Sequence, residues 1–339
     1  MKRLTVTVPS YNSENYLRQS LDSLLGFDDD LDVIIVNDGS TDRTLEIARD
    51  YETRFPNLFR VVDKENGGHG SGVNKGIELA EGQYFYVLDS DDWVDRPSLE
   101  RVLDVIGKME EEGEPVDLLL VDTVYEYAAD DSQKLMTFEK SVPTNQRVTW
   151  HDMKKLAIDQ YFTLHCMIYR TDILRQSGAH CPEHLFYVDN VIAYVPLPLV
   201  SSIYYLPVPL YRYFIGRDDQ SVNTEVMIRR IDQHIQVTKL LADSVDLDTI
   251  EIDEDLKTYL SHYFSMLMTI NTVHLILSKK EENYQKKNEL WAWLKANHPF
   301  LYKTSMKSPT NSVMSLPGAL NRSTVRAAFK VIKKIYRFS

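Results

Sequence analysis

The strongest constraint in this chain of 339 residues is an alternation that fills its first 120 positions. Short, apolar, β-branched runs trade places with longer amphipathic ones. "LTVTV" (4–8) reads as a strand, and "SENYLRQSLDSLL" (13–25) as a helix with Ser13 as its N-cap. "LDVIIV" (31–36), "LFRVV" (58–62), "QYFYVLD" (83–89) and "VDLLLV" (116–121) are further strands. The helices between them are "DRTLEIARDYETRF" (42–55), "SGVNKGIELAEG" (71–82) and "RPSLERVLDVIGKMEEEG" (96–113). A chain with this rhythm predicts an α/β fold, a parallel sheet covered by helices on both faces. Sheets of that kind bind ligands beyond the carboxyl ends of their strands.

The segments that follow the strands are polar and turn-forming. They read "PSYN", "NDGSTD", "DKENGGHGSG" and "DSDD" in chain order, and together they line one crevice. The last one places Asp89, Asp91 and Asp92 between an apolar run and Trp93. One or two aspartates there would read as a solvated turn or a helix cap. Three in four positions repel one another, and a hard divalent cation, Mg²⁺ or Mn²⁺, would relieve the repulsion. Mg²⁺ takes one or two protein carboxylates plus phosphate oxygens, which points to a diphosphate ligand.

"VPSYNSENYLRQSLDSLL", "VIIVNDGSTDRT", "NGGHGSGVNKGIELAEGQYFYVLDSDDW" and "FYVDN" stand in the order found in family 2 glycosyltransferases. The chain resembles that family through about residue 223, and most closely over its first 95 residues. The resemblance implies the A-type glycosyltransferase fold, a Rossmann-like, mostly parallel sheet flanked by helices and joined to an acceptor half. It also implies inverting transfer of a sugar from a nucleoside diphosphate, with uridine the common nucleoside.

The same resemblance implies roles residue by residue. Pro9, Tyr11 and Asn12 match the motif that borders the base, and Asp38 the carboxylate that accepts a hydrogen bond from it. Asp89 and Asp91 match the DxD pair around Ser90, the second aspartate on the metal and the first near the donor sugar, with Asp92 a further candidate ligand. Asn74 matches the asparagine of the glycine-rich motif, where relatives often carry Arg one position earlier; this chain has Val73 there. His69 either substitutes for that missing contact or is an ordinary loop histidine. Asp189 matches the acceptor-side carboxylate, and an inverting transfer needs a base that takes the acceptor's hydroxyl proton. The competing reading makes Asp189 a helix cap. His165 either faces the same pocket or packs in a strand. "YRYFIGRDDQSVN" (211–223) stands where relatives have a flexible loop over the diphosphate, which makes Arg217 and Gln220 candidates for holding it. A QxxRW motif, the mark of processive synthases, is absent from the sequence.

Beyond residue 121 the pattern weakens. Residues 122–150 read as a mixed polar segment, 151–223 as short helices and strands, and 225–296 as two or three amphipathic helices. The expected organisation is a catalytic domain over 1–223 and a helical region over 224–339. Cys166 and Cys181 form neither a metal motif nor a disulfide framework, which suits a reducing compartment. With no apolar run long enough to span a bilayer, the expectation is a cytoplasmic protein.

A net charge of −12 argues against nucleic acid as a partner. Residues 290–339 hold nine Lys or Arg and no Asp or Glu, so the first 289 carry −21. "RSTVRAAFKVIKKIYRFS" (322–339) places Arg322, Arg326, Lys330, Lys333, Lys334 and Arg337 on one helical arc. Such a helix either docks on the protein's own body or lies on the inner face of an anionic membrane, which would suit a lipid-linked acceptor. Two other functions stay open: a sugar-phosphate nucleotidyltransferase, which would want a basic glycine-rich loop after the first strand, and a degenerate carbohydrate-binding scaffold. Homo-oligomerisation is also open.

Overall fold

The computed structural model describes residues 2–216, 220, 223–316, 318 and 322–329. The chain divides into two compact units, residues 1–216 and 217–339. In the first, β1 (Leu4–Ser10), β2 (Leu31–Asp38), β3 (Phe59–Lys64) and β4 (Tyr84–Val87) lie side by side and parallel, in the order β3-β2-β1-β4. β1, β2 and β4 are buried on both faces, which explains why they read as continuous apolar runs. α1 (Leu17–Asp22), α2 (Thr44–Arg54), α3 (His69–Leu79) and α4 (Arg96–Glu112) are the connections. α4 starts where Asp95 accepts from the Ser98 N–H at 3.1 Å and stops at Gly113, whose φ of +70° is left-handed. Ser13 is not the cap of α1: Tyr16 occupies that place, and the Ser13 hydroxyl bonds Ser90 at 2.6 Å instead.

α3 lies unusually close to the sheet. A Cβ at Gly72 would stand 2.9 Å from Pro9 of β1, and one at Gly70 would stand 2.7 Å from Val188. The glycines of "GGHGSG" therefore serve close helix–sheet contact as well as the turn itself.

Past α4 the sheet, mostly parallel as expected, takes in antiparallel strands. β5 (Trp93–Val94) has already left it for a second sheet, and β6 (Leu118–Leu120) joins beyond an inserted antiparallel strand. β7 (Thr123–Tyr127) and β8 (Ser132–Met136) form a hairpin in the stretch that read as polar coil. β9 (Arg147–Val148) and β11 (Ile203–Tyr205) close the edge of the main sheet, while β10 (Met167–Arg170) is the antiparallel strand between β4 and β6. β12 (Tyr211–Ile215) completes the second sheet, ordered β5-β12-β7-β8. The stretch expected to be a loop from 211 onward thus begins as a strand. α5 (Thr171–Ser177) and α6 (Asp189–Tyr194) follow β10.

The second unit is helical: α7 (Thr224–Arg229), α8 (Ile231–Ser244), α9 (Glu254–Leu277), α10 (Glu281–Asn297), α11 (Pro299–Ser305) and α12 (Pro309–Ser315). Asp253 caps α9 by accepting from the N–H groups of Asp255 and Leu256 at 2.9 and 3.1 Å. Buried Lys287 donates to the last carbonyls of α12, Met314 at 3.3 Å among them. Residues 322–329 are helical, and their apolar side turns inward. Val325 is buried with Ile276 and Met314, and the Phe329 ring lies 6.3 Å from His274. Arg326 donates to the Tyr284 hydroxyl at 3.0 Å, and Arg322 stacks over the same ring. This is the docked reading of that segment. Lys330, Lys333, Lys334 and Arg337 lie outside the described residues, as does Arg217. Among the described residues no helix is long and apolar enough to cross a membrane.

Candidate active site

The "DSDD" turn is where the chain crosses from the main sheet to the second one. β4 ends at Val87, β5 starts at Trp93, and the carboxylates occupy the five residues between. Asp92 is buried and holds the crossing together. It accepts from the Tyr211 hydroxyl at 2.6 Å and from the Phe214 N–H at 2.8 Å, both on β12. Burial, with the charges of Asp91 and Asp89, pushes its carboxyl well above the ordinary range.

Asp89 meets two histidines. His69 Nε2 lies 2.8 Å from Oδ1 and His165 Nε2 lies 3.3 Å from Oδ2. Burial would raise the Asp89 carboxyl, but the two imidazoles outweigh it and hold the group well below the carboxylate range. The reciprocal effect appears at His69. Burial lowers it, yet the charge and hydrogen bond of Asp89, with smaller contributions from Asp189 and Asp91, leave it raised. The His165 ring packs 4.5 Å from Tyr211 and 5.2 Å from Tyr213. Histidine, aspartate and aromatic wall thus form one assembly.

Asp189 opens α6 as its first residue; the cap position belongs to Val188. Its approach is strained, since Tyr187 has a φ of +68° and His184 of +54°. The carboxyl is half-buried and raised by burial and by Asp89, with His165 and His69 pulling the other way. Asp189 therefore belongs to the same electrostatic cluster as Asp89 and both histidines.

Other expected site residues have strong partners within the protein. Buried Asp38, at the tip of β2, accepts from Lys64 Nζ at 2.7 Å, Gly67 N–H at 2.9 Å, Gly68 N–H at 2.8 Å and Ser71 Oγ at 3.1 Å. Asn74 exchanges both of its amide groups with the backbone of Cys181, at 2.8 and 2.9 Å. Asn12 takes a φ of +50° and accepts from the Thr41 N–H at 2.8 Å, tying the ends of β1 and β2 together. Pro9 is buried against Gly72, while Tyr11 is 53% exposed at the crevice. Gln220 is buried. Sequence reasoning missed Tyr211, Lys64 and Ser71. Tyr211 sits 119 residues from the Asp92 it bonds, and only the alternation in "YRYFI" hinted at a strand.

Two groups of ligand-type atoms stand close enough to share a metal ion among the described residues, and one is Asp89, Asp92 and His165. Asp91 is half-buried in the same turn.

The family model described as Glycosyl transferase family 2 matches residues 5–176, half of the chain. The chain belongs to that family. EpsH of Bacillus subtilis (strain 168), named as a glycosyltransferase, is 30% identical over 220 residues, which is 62% of this chain and 60% of that protein. The poly(ribitol-phosphate) β-N-acetylglucosaminyltransferase TarS of Staphylococcus aureus (strain MW2) is 25% identical over 276 residues, 79% of this chain and 45% of TarS. This family member therefore aligns with 45% to 60% of those relatives' lengths. Among solved structures, S. aureus TarS 1–349 in complex with UDP-GlcNAc superposes with a TM-score of 0.67 at 22% identity, covering 92% of this chain and 90% of that one. The mannosyltransferase PcManGT of Pyrobaculum calidifontis, in complex with GDP-Man and Mn²⁺, gives 0.56 at 15%, covering 99% and 88%. These likenesses establish the A-type glycosyltransferase fold.

Proposed function

We propose that this family 2 member transfers a sugar from a nucleoside diphosphate, with uridine favoured, to a glycan or lipid-linked acceptor, with inversion at the anomeric carbon. The observation that carries the reading is the cluster of Asp89, His69, His165 and Asp189 beyond the carboxyl end of β4, where such sheets take their ligands. Asp189 is the base. Its raised carboxyl suits the task, because a base works best with a pKa drawn toward the working pH. As the acceptor oxygen attacks the anomeric carbon and the diphosphate leaves, Asp189 takes the hydroxyl proton. His69, whose hold on a proton Asp89 strengthens, and His165 both stand against Asp89, where a positive ring would offset negative charge on the leaving group.

The residues present fit a divalent cation. Asp89 and half-buried Asp91 would hold it, with His165 near; Asp92 shares a group of close ligand atoms with Asp89 and His165 but is less suited, because it is buried and its carboxyl is raised well above the ordinary range. Mn²⁺ or Mg²⁺ would neutralise charge on the diphosphate oxygens. Asp38 and Asn74 shape the glycine-rich turn that borders the nucleotide, and Asp38 Oδ2, which takes a single donor, retains an acceptor site for the base. Pro9, Tyr11, Asn12, Ser90, Arg217 and Gln220 are proposed to complete the donor side. UDP-GlcNAc bound to TarS supports a UDP-linked donor, and Mn²⁺ bound to PcManGT supports the metal.

The test is UDP and GDP release from a panel of nucleotide sugars, with a glycan or lipid-linked acceptor, in Mn²⁺, Mg²⁺ or EDTA. One donor class should turn over with metal and stop in EDTA. Full turnover in EDTA would remove the metal from the reading, and no turnover of any sugar nucleotide despite tight donor binding would favour the scaffold.

A further inference from the structure

We propose that the helical unit carries a first-row divalent cation site, with Zn²⁺ the best match, built from His298, Asp246 and Asp248. His298 sits between α10 and α11 and is 5% exposed. Its Nε2 lies 2.9 Å from Asp243 Oδ1 near the end of α8. A carboxylate can only accept, so Nε2 carries a proton, and in the neutral ring Nδ1 presents a lone pair. That Nδ1 is buried and has no hydrogen-bond partner among the described residues. The nearest carboxylate, Asp246 Oδ1, stands 3.7 Å away, beyond hydrogen-bond reach. An unpaired nitrogen in a buried imidazole is costly unless something satisfies it.

The ligand atoms of Asp246, Asp248 and His298 all lie within 4.8 Å of one another. Metal bonds of about 2.0–2.2 Å would draw them to roughly 3.4 Å, a small adjustment for a turn residue. Both carboxylates are already aimed. Asp246 accepts from the Asp248 N–H at 3.1 Å and from the Thr249 hydroxyl at 2.9 Å, and Asp248 accepts from the Phe300 N–H at 2.9 Å. Asp243 then plays the part of the outer carboxylate that orients a ligating histidine through its other nitrogen. One imidazole nitrogen with two carboxylates suits Zn²⁺ better than Mg²⁺ or Ca²⁺, which prefer all-oxygen shells. Exposed Asp248 leaves the fourth position to water. The ion would clip the α8–α9 connection to the α10–α11 corner, separately from the transfer chemistry.

Equilibrium dialysis of chelator-treated, full-length protein against Zn²⁺, with metal counted per chain, tests the site. Asp248→Asn should bind one Zn²⁺ fewer than the parent chain. Asp243→Asn should keep the site but weaken it by about 10–100-fold. Zn²⁺ should raise the thermal unfolding midpoint of the parent more than that of Asp248→Asn, whereas any rise with Mg²⁺ should be the same in both. His298→Gln should behave like Asp248→Asn; if it fails to fold, the exposed Asp248 variant still decides. Equal Zn²⁺ counts and equal midpoint shifts in parent and Asp248→Asn would overturn the proposal and leave His298 as an ion-pair residue.

Discussion

Asp38 and Asp89 occupy comparable places, one at the carboxyl tip of β2 and the other just past the tip of β4, and their surroundings differ. Asp38 is buried under one ammonium from the end of β3 and two backbone N–H groups and a hydroxyl from the start of α3 and the turn before it. Asp89 is partly open and touches two titratable rings, which in turn feel Asp189. A carboxylate held by four fixed donors first of all fixes a loop, even where one oxygen keeps an acceptor site for a ligand. A carboxylate poised among groups that can change charge or release a partner can serve a reaction. The same residue type at the same topological position is architecture in one case and chemistry in the other, and the donors around it make the difference.

The largest test of that contrast falls on the reactive side. Asp189→Asn should lower transfer by ~10²–10⁴-fold while donor binding is nearly unchanged, because the residue serves the acceptor. Asp91→Asn should cost at least ~10²-fold, of the order seen when one charge-stabilising group is removed from a site. Neither should shift the urea midpoint appreciably, since both residues are only half-buried. Initial rates and donor titrations on purified variants measure both. A loss below tenfold for Asp189→Asn would move the base to His165.

Asp38→Asn tests the architectural side. The amide keeps one acceptor and turns its NH₂ toward a donor, leaving either Gly68 N–H or the Lys64–Gly67–Ser71 group without its oxygen. Stability should fall by about 1–3 kcal/mol in urea unfolding. A variant as stable as the parent but much weaker for donor would make Asp38 a ligand residue first, and the contrast with Asp89 would collapse.

The two halves of the first unit also differ in what their sequence discloses. β1 to β4 are parallel and rich in β-branched or aromatic residues, and each is followed by its own helix, so local periodicity was enough to place them and the crevice at their tips. The second sheet was not legible. β5 is two residues long, β8 is largely exposed, and β12 pairs with β5 over more than a hundred intervening residues. Such strands exist because of distant partners, and a window of a dozen residues carries no trace of them. The same holds within the site. "DSDD" announced a carboxylate cluster, but which member bonds Tyr211 and which meets the histidines depends on β12 and on the turn before β10. The glycines of "GGHGSG" read as turn formers, whereas two of them, Gly70 and Gly72 inside α3, also answer to Val188 and Pro9.

The ion pair of His69 and Asp89 gives a pH test. The folded pKa of His69 lies above its ordinary 6.5, so its contribution is fully present below 6.5 and is lost as pH rises through the raised value. Asp89 has the opposite sign: its contribution is present above the ordinary 3.8 and is lost as pH falls through the lowered value. The pair is therefore intact between those limits. An NMR titration of the His69 ring should show an inflection above 6.5 in the parent and a lower one in Asp89→Asn, where only the smaller effects of Asp189 and Asp91 oppose burial. An unchanged inflection would mean that Asp89 is not the group that holds the proton on His69.

The smallest expected effect belongs to Asp92, and its sign sharpens the comparison further. Its folded pKa is raised by burial and by Asp91 and Asp89, so the linkage runs opposite to that of Asp89. The favourable contribution is present below the ordinary 3.8 and disappears as pH rises through the raised value, after which holding a third negative charge is a burden. Asp92→Asn removes that charge and keeps an oxygen for the Phe214 N–H, while the Tyr211 hydroxyl loses its acceptor at a cost of about 1 kcal/mol. Urea unfolding across pH should therefore find the variant slightly less stable than the parent in acid, with the difference shifting in favour of Asn as pH rises. A difference that instead grows against Asn with rising pH would mean that Asp92 works as a carboxylate. It would then rank with Asp89 and Asp91 among the groups that serve a cation, and the division between architectural and reactive aspartates would have to be redrawn inside the turn itself.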